Sequence, residues 1–210
     1  MLIKICGITN AEDAQAAIAC GAHMLGFIFV DSSPRRITIS QSASIVSDIK
    51  GRDCLTVGVF KDLTAEEVEE AQRSTPVAML QLHGDLQPYV MGPCIRAIEV
   101  IGPDSLKRVG KVGRARYVLF DRPKQNAPAD WLQTTVTMLS TATMDAPFMF
   151  AGGIDENNVS WVVRALRSNP KFMGIDVCSG IERAPGMKDH ARLRKLIENA
   201  MEAKTDAITR

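Results

Sequence analysis

Short, nearly continuous apolar runs recur along the chain, at Leu2–Cys6, Met24–Val30, Leu55–Phe60, Val77–Leu82, Ile95–Ile101, Tyr117–Phe120, Pro147–Ala151 and Phe172–Val177. Each is too short for a helix, and strict alternation is weak. Strands that are apolar on both faces belong to a parallel sheet covered by other elements. Amphipathic segments fill most of the intervals. Val159, Val162, Val163 and Leu166 recur at helical spacing, as do Leu193, Leu196, Ile197 and Ala200, and Ile45, Val46 and Ile49 form a shorter stripe. Thr9 with Glu12, and Thr64 with Glu67, have the spacing of capping boxes and predict two helix starts. The interval after Asp85 is the weakest helix, because Pro88 and Gly92 leave it little room.

Eight runs and eight helical intervals share 210 residues, about 26 per strand–helix unit, and right-handed crossovers would close them into a (β/α)8 TIM barrel. The expected organisation is one domain over residues 1–210. A doubly wound open sheet could use the same alternation; the count of eight favours the barrel.

Composition narrows the function classes. Apolar residues make up 46% of the chain and the formal net charge is +1, which excludes a disordered chain and argues against a nucleic-acid binder with a basic face. No apolar run approaches the roughly 18 residues of a membrane span, and the first residues do not form a charged leader followed by a long apolar stretch. Five cysteines, Cys6, Cys20, Cys54, Cys94 and Cys178, are an odd number without CxxC spacing. They fit free thiols in a reducing compartment, so a cytoplasmic protein with no zinc set is expected.

In a barrel, chemistry sits at the carboxyl ends of the strands. Those positions hold Cys6, Ser33–Arg36, Lys61, His83, Asp121, Gly152-Gly153 and Ser179-Gly180. The glycine pairs follow runs seven and eight, where barrels commonly bind phosphate, because glycine lets backbone amides approach an anion. Tight turns alone would also explain either pair; both together favour a phosphorylated substrate. Cys6 is a buried hydrophobe on the plain reading and, as a thiolate, a nucleophile or general base on the functional one. Cys178 reads as a packing residue. Asp121 is a surface or capping carboxylate, or a buried acid with a raised pKa. Arg35 and Arg36 form a solvated charge pair, or one of them forks onto a substrate carboxylate. A single histidine such as His83 is more often structural than catalytic. Trp131 and Trp161 read as packing residues.

Taken together, Lys4-Ile5-Cys6-Gly7-Ile8-Thr9, Leu25–Phe29, Ser33-Pro34-Arg35, Val57–Phe60, Gln81-Leu82-His83-Gly84, Ala151-Gly152-Gly153, and Asp176–Glu182 with Pro185-Gly186 resemble the phosphoribosylanthranilate isomerases of tryptophan biosynthesis. The matches keep their order along nearly the whole chain. The resemblance implies an Amadori rearrangement of N-(5-phosphoribosyl)anthranilate, with no metal and no organic cofactor. It implies Asp121 as general acid and Cys6 as general base. It further implies Arg35 on the anthranilate carboxylate, the amides of Gly152, Gly153, Ser179 and Gly180 on the phosphate, and His83 and Asp176 near the substrate. The implied partner is this small phosphoribosyl molecule, with no nucleic acid, membrane or obligate protein partner. Two departures stand out. The segment Arg122–Trp131 is shorter than the family's glycine-rich loop and has no glycine, and Cys178 replaces the usual serine. Two other readings fit parts of the pattern. One is an isomerase of a histidine-type aminoaldose, against which Cys6 stands where that group uses an aspartate. The other is a barrel that binds phosphosugars without turning them over.

Overall fold

The computed structural model describes residues 1–84, 90–111, 113 and 115–205. Eight parallel strands, β1 (Leu2–Cys6), β2 (Met24–Ile28), β3 (Leu55–Lys61), β4 (Met79–His83), β5 (Cys94–Glu99), β6 (Tyr117–Asp121), β7 (Phe148–Ala151) and β8 (Phe172–Val177), form a closed barrel in sequence order. Every expected run became a strand. Closure is direct: β1 pairs with both β2 and β8, with Lys4 opposite Met24 on one side and Asp176 on the other. The open-sheet alternative is excluded.

Helices α1 (Ala11–Ala19), α2 (Ile39–Asp48), α3 (Ala65–Ser74), α4 (Trp131–Thr141), α5 (Val159–Leu166) and α6 (His190–Thr205) cover the strands from outside. Thr64 and Glu67 form the expected capping box on α3, an arrangement that stabilises a helix start by about 1 kcal/mol. The expected start of α1 is corrected by one residue: Asn10, not Thr9, caps it, accepting from the Asp13 amide at 2.8 Å. Thr9 instead donates its hydroxyl to the Gly186 carbonyl. Between β5 and β6 the connection Pro103–Lys111 is a 3-10 helix rather than an α-helix. The weak helix expected after Asp85 falls on residues 85–89, outside the described residues. After β8 the chain makes a 3-10 turn (Ser179–Ile181) and a short hairpin, β9 (Glu182–Ala184) and β10 (Met187–Lys188), which the sequence pattern did not announce.

Side chains alternate across each strand. On β1, Ile3 and Ile5 join the outer core with Leu25, Phe27, Phe148, Phe150, Val162 and Leu193. The inner face packs Met24, Val57, Met79, Ile95, Tyr117, Leu119 and Met149 through the barrel's centre. Trp131 is buried, stacks on Phe150 and donates its indole N–H to the Val100 carbonyl at 2.7 Å, so it anchors α4. The inner face turns polar toward the carboxyl ends of the strands, where Lys4, Gln81, Asp121 and Asp176 are all buried. Among the described residues no helix is long and apolar enough to cross a membrane.

Candidate active site

A cavity of about 840 Å³ opens at that end of the barrel. It is lined by Cys6, Arg35, His83, Asp121, Gly152, Gly153, Asp176, Ser179 and Gly180, and thus gathers all nine residues singled out in the sequence. Lys61, Gln81, Arg122, Lys124 and Asn126 complete much of its polar wall.

Cys6 is the last residue of β1 and is buried. Its thiol is lowered to about 7: the Cys178 thiol hydrogen-bonds to it and the Lys4 ammonium attracts the thiolate, against the opposing effects of burial and the Asp176 carboxylate. Cys178 is displaced the other way, well above an ordinary thiol, by that same hydrogen bond and by burial. Beneath Cys6, the Lys4 ammonium is 2.8 Å from Asp176 Oδ2.

Asp121 ends β6. Burial raises its pKa, partly offset by the Lys124 ammonium 3.8 Å away and by the Arg122 amide, which donates to Oδ1 at 2.8 Å. The cavity thus holds a thiol that ionises early and a carboxyl that ionises late, the pattern of an acid–base pair. His83 is lowered to about 4, first by burial and then by Lys124 and Lys4. Its Nε2 lies 2.8 Å from Gln81 Nε2, so the neutral ring accepts a hydrogen bond from the amide.

The structure separates the two arginines. Arg36 pairs with Asp31 at 2.7 Å on the surface. Arg35 lines the cavity, and Glu182 grips it through Nε at 2.9 Å and Nη2 at 2.7 Å. Burial pushes Glu182 up, but Arg35 and Lys188 together hold it below the usual carboxylate range. Lys188 is fully buried, and its ammonium donates to Glu182 Oε1 at 2.9 Å, the Cys6 carbonyl at 2.6 Å and the Cys178 carbonyl at 3.1 Å. Sequence reasoning gave Lys4, Glu182 and Lys188 no role. Their partners lie in other parts of the chain, and only the quoted motifs around them marked the segments.

The two glycine loops lean on each other. A β-carbon at Gly180 would lie 1.9 Å from the Ile154 carbonyl oxygen, so the loop after β8 packs on the backbone of the loop after β7. Gly152 has φ +97°, which an L side chain rarely adopts. Asn158 fixes this loop by donating to the Gly153 carbonyl at 2.7 Å. Among the described residues, no group of three His, Cys, Asp or Glu side chains is arranged to hold a metal ion.

Fold and cavity define a (β/α)8-barrel enzyme whose cavity, at the mouth of the barrel, holds the Cys6 thiol and the Asp121 carboxyl. Residues 3–199 match the family model described as N-(5'-phosphoribosyl)anthranilate (PRA) isomerase, and the chain belongs to that family. It is 35% identical to the N-(5'-phosphoribosyl)anthranilate isomerase of a Bradyrhizobium species, over 97% of this chain and 96% of the relative. It is 32% identical to the Pseudomonas putida enzyme of the same name, over 95% and 97% of the two chains. The crystal structure of the Thermus thermophilus isomerase superposes with TM-score 0.78 at 32% identity, covering 96% of this chain and 99% of that one. A further isomerase structure holds reduced 1-(o-carboxyphenylamino)-1-deoxyribulose 5-phosphate; it superposes with TM-score 0.76 at 25% identity, covering 96% and 100%.

Proposed function

We propose that Cys6 and Asp121 carry out the isomerisation of N-(5'-phosphoribosyl)anthranilate to 1-(2-carboxyphenylamino)-1-deoxyribulose 5-phosphate, the reaction of the family to which the chain belongs. Protonated Asp121 donates to the furanose ring oxygen. The bond from that oxygen to the first sugar carbon breaks, and the anilino nitrogen's lone pair forms an iminium. The Cys6 thiolate removes the proton on the second carbon, and the electron pair moves onto the iminium to give an enolamine. Protonation at the first carbon, with loss of the hydroxyl proton at the second, yields the ketone. No net oxidant or reductant is needed.

Arg35, held edge-on by Glu182, is the carboxylate anchor for the anthranilate ring. The amides of Gly152, Gly153, Ser179 and Gly180 receive the phosphate, and His83 and Asp176 face the sugar between the two ends. The cavity's volume lies in the range of small-molecule sites. A free-thiol cysteine set fits a cytosolic enzyme, and the barrel acts as one domain on a small molecule.

The observation that carries this reading is the opposite displacement of Cys6 and Asp121 within one cavity that also holds Arg35 and both glycine loops. Freshly generated phosphoribosylanthranilate should lose its fluorescence far faster with the protein than without it. Loss at only the spontaneous rate, in a folded protein that still binds the reduced product analogue, would mean a barrel that binds without turnover.

A further inference from the structure

Lys4 has no place in the scheme above, yet it is a charged side chain buried completely inside the barrel. It lies on β1 two residues before Cys6, so both side chains point inward. Its relative exposure is 0%, and its ammonium meets Asp176 Oδ2 at 2.8 Å. Lys4 and Asp176 are direct partners in the β1–β8 register. Asp176 Oδ1, also buried, accepts no hydrogen bond from any described residue. Such a pair is a poor way to hold a barrel together, because desolvating two ions costs about as much as their attraction returns and apolar side chains would serve as well.

The surroundings point to another role. Both Lys4 and Cys6 lean over Gly26 on β2: a β-carbon there would lie 2.7 Å from Cys6 Sγ and 3.0 Å from Lys4 Nζ. The missing side chain lets the thiol and the ammonium share one small space. Other groups also face Cys6. Asp176 and Cys178 come from β8 and its end, and Arg35 from the loop after β2. Lys188 holds the Cys6 carbonyl, with Glu182 beside it. Among these, Lys4 is the cation buried in the barrel's interior whose side chain is not committed to the Cys6 backbone or to Glu182.

We propose that Lys4 is a positioning residue for catalysis: its buried ammonium, restrained by Asp176, keeps Cys6 as a thiolate ready to take the sugar proton. Asp176 sets the strength of this effect by partly neutralising Lys4. The inference rests on Cys6 being the base. In support, burial pulls the Lys4 pKa down, yet Asp176 and Cys6 more than offset it and hold the amine charged above its ordinary range.

The test reads the charge on Cys6 itself. Iodoacetamide alkylation of the Cys6 peptide is followed by mass spectrometry against pH in wild type, Lys4→Met, Lys4→Arg and Asp176→Asn. Wild type should show a midpoint near 7. Lys4→Met should move the midpoint up part of the way toward the ordinary thiol value of about 8.5, because the Cys178 hydrogen bond still lowers it, and should slow alkylation at neutral pH several-fold with recovery above pH 9. Lys4→Arg should restore most of it. Asp176→Asn should move it down, and this variant keeps the test open where Lys4→Met does not fold. An unmoved midpoint in folded Lys4→Met, or an unmoved or raised one in Asp176→Asn, overturns the proposal. Undiminished turnover by Cys6→Ser would instead remove the base assignment on which it rests, whatever the alkylation midpoints.

Discussion

The Lys188 ammonium donates to the backbone carbonyl of Cys6 at 2.6 Å, across 182 residues of sequence. The same nitrogen holds the Cys178 carbonyl and Glu182, which in turn holds Arg35. One buried cation thus ties the thiol-bearing strand, the loop after β8 and the arginine of the loop after β2 to one another. Lys188→Met leaves two carbonyls and part of a carboxylate without their buried donor. Loss of one partner from a buried ion pair costs about 3–5 kcal/mol, so the urea midpoint should fall steeply. A wild-type midpoint would show that the hairpin does not depend on this contact.

Arg35→Ala should act on binding. A fixed contact to a carboxylate is present in ground and transition states alike, so KM should rise with kcat little changed. A charged hydrogen bond contributes about 1.5–3 kcal/mol, which corresponds to roughly 10–100-fold in KM. A fall in kcat at constant KM would contradict a pure anchoring role.

Gly180→Ala should open the phosphate end of the cavity. The new methyl would lie 1.9 Å from a backbone oxygen, which cannot rotate away as a side chain could. Overpacking of this kind costs about 1–3 kcal/mol. The expected result is a lower Tm together with at least tenfold weaker binding of the reduced product analogue by titration calorimetry. Unchanged affinity would place the phosphate elsewhere.

Stability should fall with acid partly through His83. Its ordinary value of 6.5 is lowered in the fold to about 4, so between those limits the unfolded chain binds the extra proton. The stabilisation is complete above pH 6.5 and is lost as pH falls through 4, amounting to about 3–3.5 kcal/mol at some 1.4 kcal/mol per pH unit. His83→Gln should flatten the pH dependence of unfolding free energy in this window. An unaltered slope would mean that His83 titrates normally.

The strands were legible because each is a short apolar run buried on both faces, and the count of eight selected the barrel. The strand-end rule then gathered the cavity residues without knowledge of their contacts. Local signals read less well. Thr9 has a capping residue's spacing, but Asn10 caps α1, and Thr38 with Gln41 forms a capping box on α2 that the pattern left unread. Gly102 precedes, and Pro103 and Gly110 lie within, a connection that stays 3-10. The ionic contacts were beyond reach, because Lys4 meets Asp176 across 172 residues and Arg35 meets Glu182 across 147. Nothing in either segment alone states its partner. The glycine-free segment after Asp121 was visible as a departure, and Arg122, Pro123, Lys124, Asn126 and Ala127 nevertheless line the cavity.

If Cys6 and Asp121 are the base and acid of one reaction, loss of either should nearly abolish it. The most direct test is single-turnover decay of phosphoribosylanthranilate fluorescence by wild type, Cys6→Ser and Asp121→Asn, with folding checked by circular dichroism. General acid–base groups contribute about 10²–10⁴-fold. Each variant should therefore be slower by at least two orders of magnitude while still binding the reduced product analogue. Turnover by either folded variant within a few-fold of wild type would contradict the account.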